Sequence, residues 1–157
     1  MKYARLTKEQ FEELHQEFIN FLATQSITGE EWQQLKSEKP EVAEQELDIF
    51  SDLIWEGVLN NVKYLEHISP QQLMLFHITD AFMELIAIKV NDDTIDITTQ
   101  YGYKWLQQNL HHDSVNLYTS TKAIKEDRNK DIFVLIQQGS VITKGELYTY
   151  FSELLKD

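Results

Sequence analysis

The amino-acid sequence predicts an α+β fold: N-terminal helices, a central antiparallel β-meander of about four strands, then C-terminal helices. Three observations carry that expectation. Residues 8–60 repeat their apolar side chains at three- and four-residue spacing, which is the helical period. From residue 62 the period shortens to two, with β-branched and aromatic residues grouped between turn signals. After residue 100 the helical spacing returns.

The first helix is expected at about 8–24. Thr7-Lys8-Glu9-Gln10 reads as a capping box, and Phe11, Leu14, Phe18 and Leu22 form the apolar stripe behind it. Thr28-Gly29-Glu30-Glu31 opens a second helix at about 29–37, presenting Trp32 and Leu35. Pro40 suits the first turn of a third helix at about 40–60, where its missing N–H costs nothing. Val42, Ala43, Leu47, Ile49, Phe50, Leu53, Ile54 and Val58 share one broad face of that helix.

Strands are expected at about 62–68, 72–79, 82–90 and 94–98, broken by Ser69-Pro70, Asp80 and Asn91-Asp92-Asp93. A helix over 70–86, capped by Ser69, is the rival reading of the middle. Val115 to Thr119 is a further strand candidate. Helices follow at about 101–110, 131–138 and 144–155, the second stopped by Gly139 and the third opened by a capping box at Thr143-Lys144-Gly145-Glu146. No repeat, low-complexity run or linker interrupts the 157 residues, so a single domain over 1–157 is expected.

Composition removes several function classes. There are no cysteines, which excludes thiol catalysis, disulfides and Cys-ligated metals. The net charge of −12 opposes binding to a phosphate backbone or an anionic bilayer. No apolar run is long enough to span a membrane. Met1-Lys2-Tyr3-Ala4-Arg5-Leu6 lacks the apolar core of a secretory leader, which makes the cytoplasm the expected compartment.

Signatures of chemistry are sparse. Neither a phosphate-binding glycine loop nor a nucleophile elbow occurs, no residue is assigned a catalytic role, and nothing calls for a cofactor. No metal site is expected. The residues that come nearest are His67 with His77 on neighbouring strands, and the run His111-His112-Asp113. Glu12 and His15 make one E-x-x-H on a helix, where a di-metal bundle needs two. Glu84 sits mid-strand among Phe82, Ile86 and Ile88, and the alternative reading is a small metal-dependent or acid–base enzyme using His67, His77 and Glu84 or the His111-His112-Asp113 cluster.

One feature exceeds the background. Glu41, Glu44, Asp48, Asp52 and Glu56 recur along the third helix as a carboxylate stripe, with Trp55 beside it. No base falls between residues 40 and 62. Like charges at i,i+4 repel by a few tenths of a kcal/mol each, so a stripe of this kind invites a cationic partner. Residues 1–66 carry net −8 and residues 67–157 net −4, so the acid is concentrated where the stripe lies.

Several runs resemble a small bacterial family, a domain of unknown function. They are Leu6-Thr7-Lys8-Glu9-Gln10-Phe11-Glu12-Glu13-Leu14, Glu17-Phe18-Ile19-Asn20-Phe21-Leu22-Ala23, Lys39-Pro40-Glu41-Val42-Ala43-Glu44, Phe50-Ser51-Asp52-Leu53-Ile54-Trp55-Glu56, Val62-Lys63-Tyr64-Leu65-Glu66-His67 and Ile136-Gln137-Gln138-Gly139. The resemblance brings no activity or site residue with it. The expectation is a non-catalytic interaction module that binds a basic protein partner through Glu41, Glu44, Asp48, Asp52, Trp55 and Glu56. A homodimer is also expected, because 73–78 is apolar at both parities and one sheet face needs a cover.

Overall fold

The computed structural model describes residues 1–156, and the chain forms two compact units, Met1–Asn60 and a second that begins at Asn61.

The first unit is helical. The expected first helix is present in two pieces, α1 (Lys8–Glu13) and α2 (His15–Thr24). Leu14 leaves the helical region at φ −99°, ψ 23°, yet Leu14 N–H still reaches Gln10 O and Phe18 N–H reaches Leu14 O, so the break is a dent and not a turn. The Thr7 capping box forms in full: Thr7 Oγ1 accepts from Gln10 N–H and Gln10 Oε1 accepts from Thr7 N–H. Helices α3 (Gly29–Glu38) and α4 (Pro40–Asn60) follow. Their core is Leu6, Phe21, Leu22, Trp32, Ala43 and Phe50. Phe18 sits edge-on to Trp32 and Phe50, with centroids 5.2 and 5.0 Å apart, the edge-to-face packing that aromatic quadrupoles favour.

The apolar face of α4 is narrower than expected. Ala43, Leu47, Phe50 and Ile54 lie within an arc of about 60° at 100° per residue, and all four belong to this core. Ile49, Leu53 and Val58 are exposed. The buried arc is instead turned toward the acidic stripe: Ser51 and Leu59 are fully buried, and Trp55 is half-buried against the core. Trp55 is therefore a packing residue, not the exposed aromatic that its place in the stripe suggested.

The second unit holds a five-stranded antiparallel sheet in the order β4-β3-β2-β1-β5. Its strands are β1 (Tyr64–Ser69), β2 (Gln72–Ile78), β3 (Phe82–Val90), β4 (Val115–Ala123) and β5 (Val141–Thr143). The rival helix over 70–86 is thus overturned by a hairpin and its neighbour. Helices α5 (Gln100–Gln108), α6 (Arg128–Gln137) and α7 (Glu146–Leu154) complete the unit. One face of the sheet, through Leu73, Leu75, Ile86, Ile88 and Val90, packs with Leu106 of α5 and Phe151 of α7. Phe76 and Ile78, on the other parity of β2, are buried as well. Both faces of 73–78 are therefore covered within one chain, which removes the stated reason for expecting a partner subunit there.

Two expectations fail for identifiable reasons. Residues 94–98 are not a strand. Asp92 accepts from Thr94 N–H at 3.0 Å and Asp96 from Thr98 N–H at 2.9 Å, two successive Asx turns that take the backbone out of any ladder. The alternation that imitated a strand comes from Ile95 and Ile97 dropping into the core between those turns. The fourth strand is β4 instead, and it extends to Ala123. Nor does Thr143 cap the last helix. It belongs to β5, and the cap is Gly145 at φ +84°, in the left-handed region. Among the described residues no helix is long and apolar enough to cross a membrane.

Candidate binding site

The carboxylate stripe of α4 is an occupied surface. Residues 2–6 lie along it antiparallel to the helix, so that the start of the segment meets the later turns. The two carboxylate oxygens of Asp52 accept the backbone N–H groups of Lys2 and Tyr3 at 2.7 and 2.9 Å. The Tyr3 hydroxyl donates to Glu56, and Lys2 Nζ stands 3.7 Å from the same carboxylate. Arg5 spans one turn of the helix, pairing with Glu44 and reaching Asp48 at 2.6 Å. Leu6 N–H donates to Ser51 Oγ at 3.1 Å, and Ser51 in turn donates to Leu47 O at 2.7 Å. Glu41, in the first turn, is exposed and takes no part.

The arrangement answers the repulsion that the stripe creates. Four carboxylates receive two cations and two backbone donors, and charge-assisted bonds of this kind are stronger than neutral ones. Burial first, and then the bond to Glu56, push the Tyr3 phenol up to about 12. The bonds to Glu44 and Asp48 hold the Arg5 guanidinium above its ordinary value. Tyr3 and Leu6 are buried, so the segment is anchored by two side chains as well as by charge. Arg5 and Leu6 also border a groove of about 670 Å³ whose walls include Phe11, Phe18 and Trp32.

Lys2, Tyr3, Arg5 and Ser51 are the site residues that sequence reasoning missed. A signal was present. Residues 1–8 hold three bases and no acid, opposite a helix that holds acids and no base. Ser51 had none, because a lone serine in an amphipathic helix looks like a surface residue.

Of the other candidates the structure brings together only His77 and Glu84. His67 and His77 lie on opposite faces of the sheet: Tyr64 pairs with His77 and His67 with Met74, and successive residues of a strand alternate sides. His67 faces Gly139, whose added Cβ would stand 3.1 Å from its Nε2. His77 and Glu84 are directly paired across β2 and β3, with Nδ1 3.7 Å from Oε2. Tyr148 of α7 donates to Glu84 Oε2 at 2.8 Å, and Tyr64 stacks on His77 at 4.8 Å. Burial first, and then the bond to Glu84, raise the Tyr148 phenol well above its ordinary value. His111, His112 and Asp113 follow the end of α5 and are exposed; His112 bonds Ser114 at 2.8 Å and meets the edge of Trp105. His15 is exposed at the start of α2. Among the described residues no three His, Asp or Glu side chains gather in a way that could hold a metal ion.

No curated protein and no solved structure matches the chain. A family profile does, over residues 1–156, and its span takes in both the helical unit with its strapped ridge and the sheet unit. The chain belongs to that family of unknown function, DUF6495.

Proposed function

We propose that this protein is a non-catalytic interaction module whose α4 ridge docks a basic, extended protein segment. The observation that supports the reading is the ridge's own occupant. Glu44, Asp48, Asp52 and Glu56 hold residues 2–6 through main-chain N–H groups, one Arg, one Lys and one Tyr. A partner segment with bases two to three residues apart and apolar residues between them would satisfy the same donors and acceptors. An incoming segment has to replace surface ion pairs worth about 0–1 kcal/mol each, and also the seats of the buried Tyr3 and Leu6. The partner displaces the strap, and the strap sets a threshold that only a better-matched sequence passes. The same reading keeps the chain away from nucleic acid and anionic bilayers, since its charge of −12 is repelled by both.

The test is fluorescence polarisation with a labelled peptide of residues 1–7. A Lys2→Ser/Arg5→Ser chain, with its strap loosened, should bind the peptide more tightly than the unaltered chain, and added salt should weaken that binding. An Asp48→Ser/Asp52→Ser chain should not bind. Equal or absent binding in all three would overturn the proposal and leave the ridge as a purely internal support.

A further inference from the structure

The two ends of the sheet are built differently. One is closed by β5, only three residues long, which offers little backbone for pairing. The other is β4, nine residues in unbroken register with β3 from Phe82↔Ala123 to Val90↔Val115. β4 contains no proline, glycine or acid, and its single charge is Lys122. Residues 116–119 and 121–123 are exposed, with Tyr118 60% and Leu117 37% open to solvent. Of the devices that blunt an edge, β4 carries one, the exposed Lys122 near its end, and has no bulge and no proline.

We propose that β4 pairs antiparallel with β4 of a second copy of this chain, joining two five-stranded sheets into one. The axis passes through Thr119. Thr119 then meets its own counterpart, Tyr118 meets Ser120, Leu117 meets Thr121, Asn116 meets Lys122, and Val115 meets Ala123. No like charges face each other, and each Lys122 lies opposite an amide. The strand is thus self-complementary, as a two-fold interface requires. Nine paired residues supply roughly eight to ten backbone hydrogen bonds, the number found in an ordinary protein interface. Moving the axis off Thr119 leaves end residues unpaired. A foreign strand could use the same edge, but a second copy pairs all nine residues about Thr119 and sets neither Lys122 against a like charge.

Sedimentation equilibrium of the full chain tests this, with twice the 18.5 kDa chain mass expected at micromolar concentration. Thr119→Lys and Thr119→Glu are exposed substitutions, and unchanged far-UV circular dichroism would show that both fold. Each alone should weaken dimerisation by about tenfold or more, because like charges then face directly. Mixing the two in equal amounts should restore the dimer, since Lys now faces Glu. A monomeric unaltered chain would overturn the proposal. So would dimers indifferent to either substitution, or a mixture that stays monomeric.

Discussion

Arg5 Nε donates to Asp48 Oδ1 at 2.6 Å, joining residues 43 positions apart. This pair turns a stripe of repelling carboxylates into a seat for the start of the chain. Both side chains are about one-third exposed, so solvent screens part of the attraction. A double-mutant cycle on Arg5→Ser and Asp48→Ser should return a coupling of about 0.5–1 kcal/mol in urea unfolding, falling with added salt. A coupling near zero at low salt would show that the geometry is held by Tyr3 and Leu6 alone.

Ser51 is the fully buried link between the strap and α4. Replacing it with alanine removes the acceptor for Leu6 N–H in a dry site. The expected cost is roughly 1–3 kcal/mol, the desolvation penalty of an unpaired buried donor. Faster hydrogen exchange at the Leu6 amide should accompany the loss. If exchange there is unchanged, the amide has another acceptor and the assignment is wrong.

Among the glycines, Gly102 in α5 meets main-chain atoms most closely. A Cβ at this position would stand 1.8 Å from Asp96 O and 2.4 Å from Asp96 C, both of them main-chain atoms of an Asx turn. Gly102→Ala therefore has to move a turn that seats Ile95 and Ile97, and should cost about 3 kcal/mol in denaturant unfolding. Gly29→Ala is the control, because nothing lies within 4 Å of the added carbon.

Glu66 on β1 has its pKa raised, by burial first and by the nearby Glu146 carboxylate second. A raised folded-state pKa means that the folded protein resists ionisation of this acid. The associated stability is fully present below the unfolded value of 4.5 and is lost as pH rises through the raised value. Glu66→Gln should accordingly be more stable than the unaltered chain at neutral pH, and the gain should vanish on acidification below 4.5. Thermal unfolding across that range checks the sign. A variant that is less stable at neutral pH would contradict it.

Much of the fold was legible because its signals are local. The helical period of residues 8–60, the Thr7 box, and the strands at 64–69, 72–78 and 82–90 follow from side-chain spacing and turn residues. The failures share a cause. Residues 94–98 alternated like a strand because two Asp–Thr turns happened to send isoleucines inward at the same spacing. Thr143 resembled a cap because the box motif does not record that β1 would recruit that residue as an edge partner. In the candidate site, the carboxylate spacing was plain in the sequence, whereas its occupant lay about forty to fifty positions upstream.

By itself the sequence determined where helices and strands form and that four carboxylates of α4, with Glu41 ahead of them, share one side of the helix. Periodicity and capping act within a few residues, so they are fixed before the chain folds back on itself. Only the tertiary structure decided what that side faces. Residues 2–6 return along α4 and Leu6 N–H bonds the buried Ser51, Trp55 packs against the helical core, and Ile49 and Leu53 stand in solvent. The physical reason is that α4 carries apolar residues on more of its circumference than one core can cover. Which part is buried is settled by what packs on it, Phe21, Leu22 and Trp32 together with Leu6 of the docked segment, and no helical period encodes that choice.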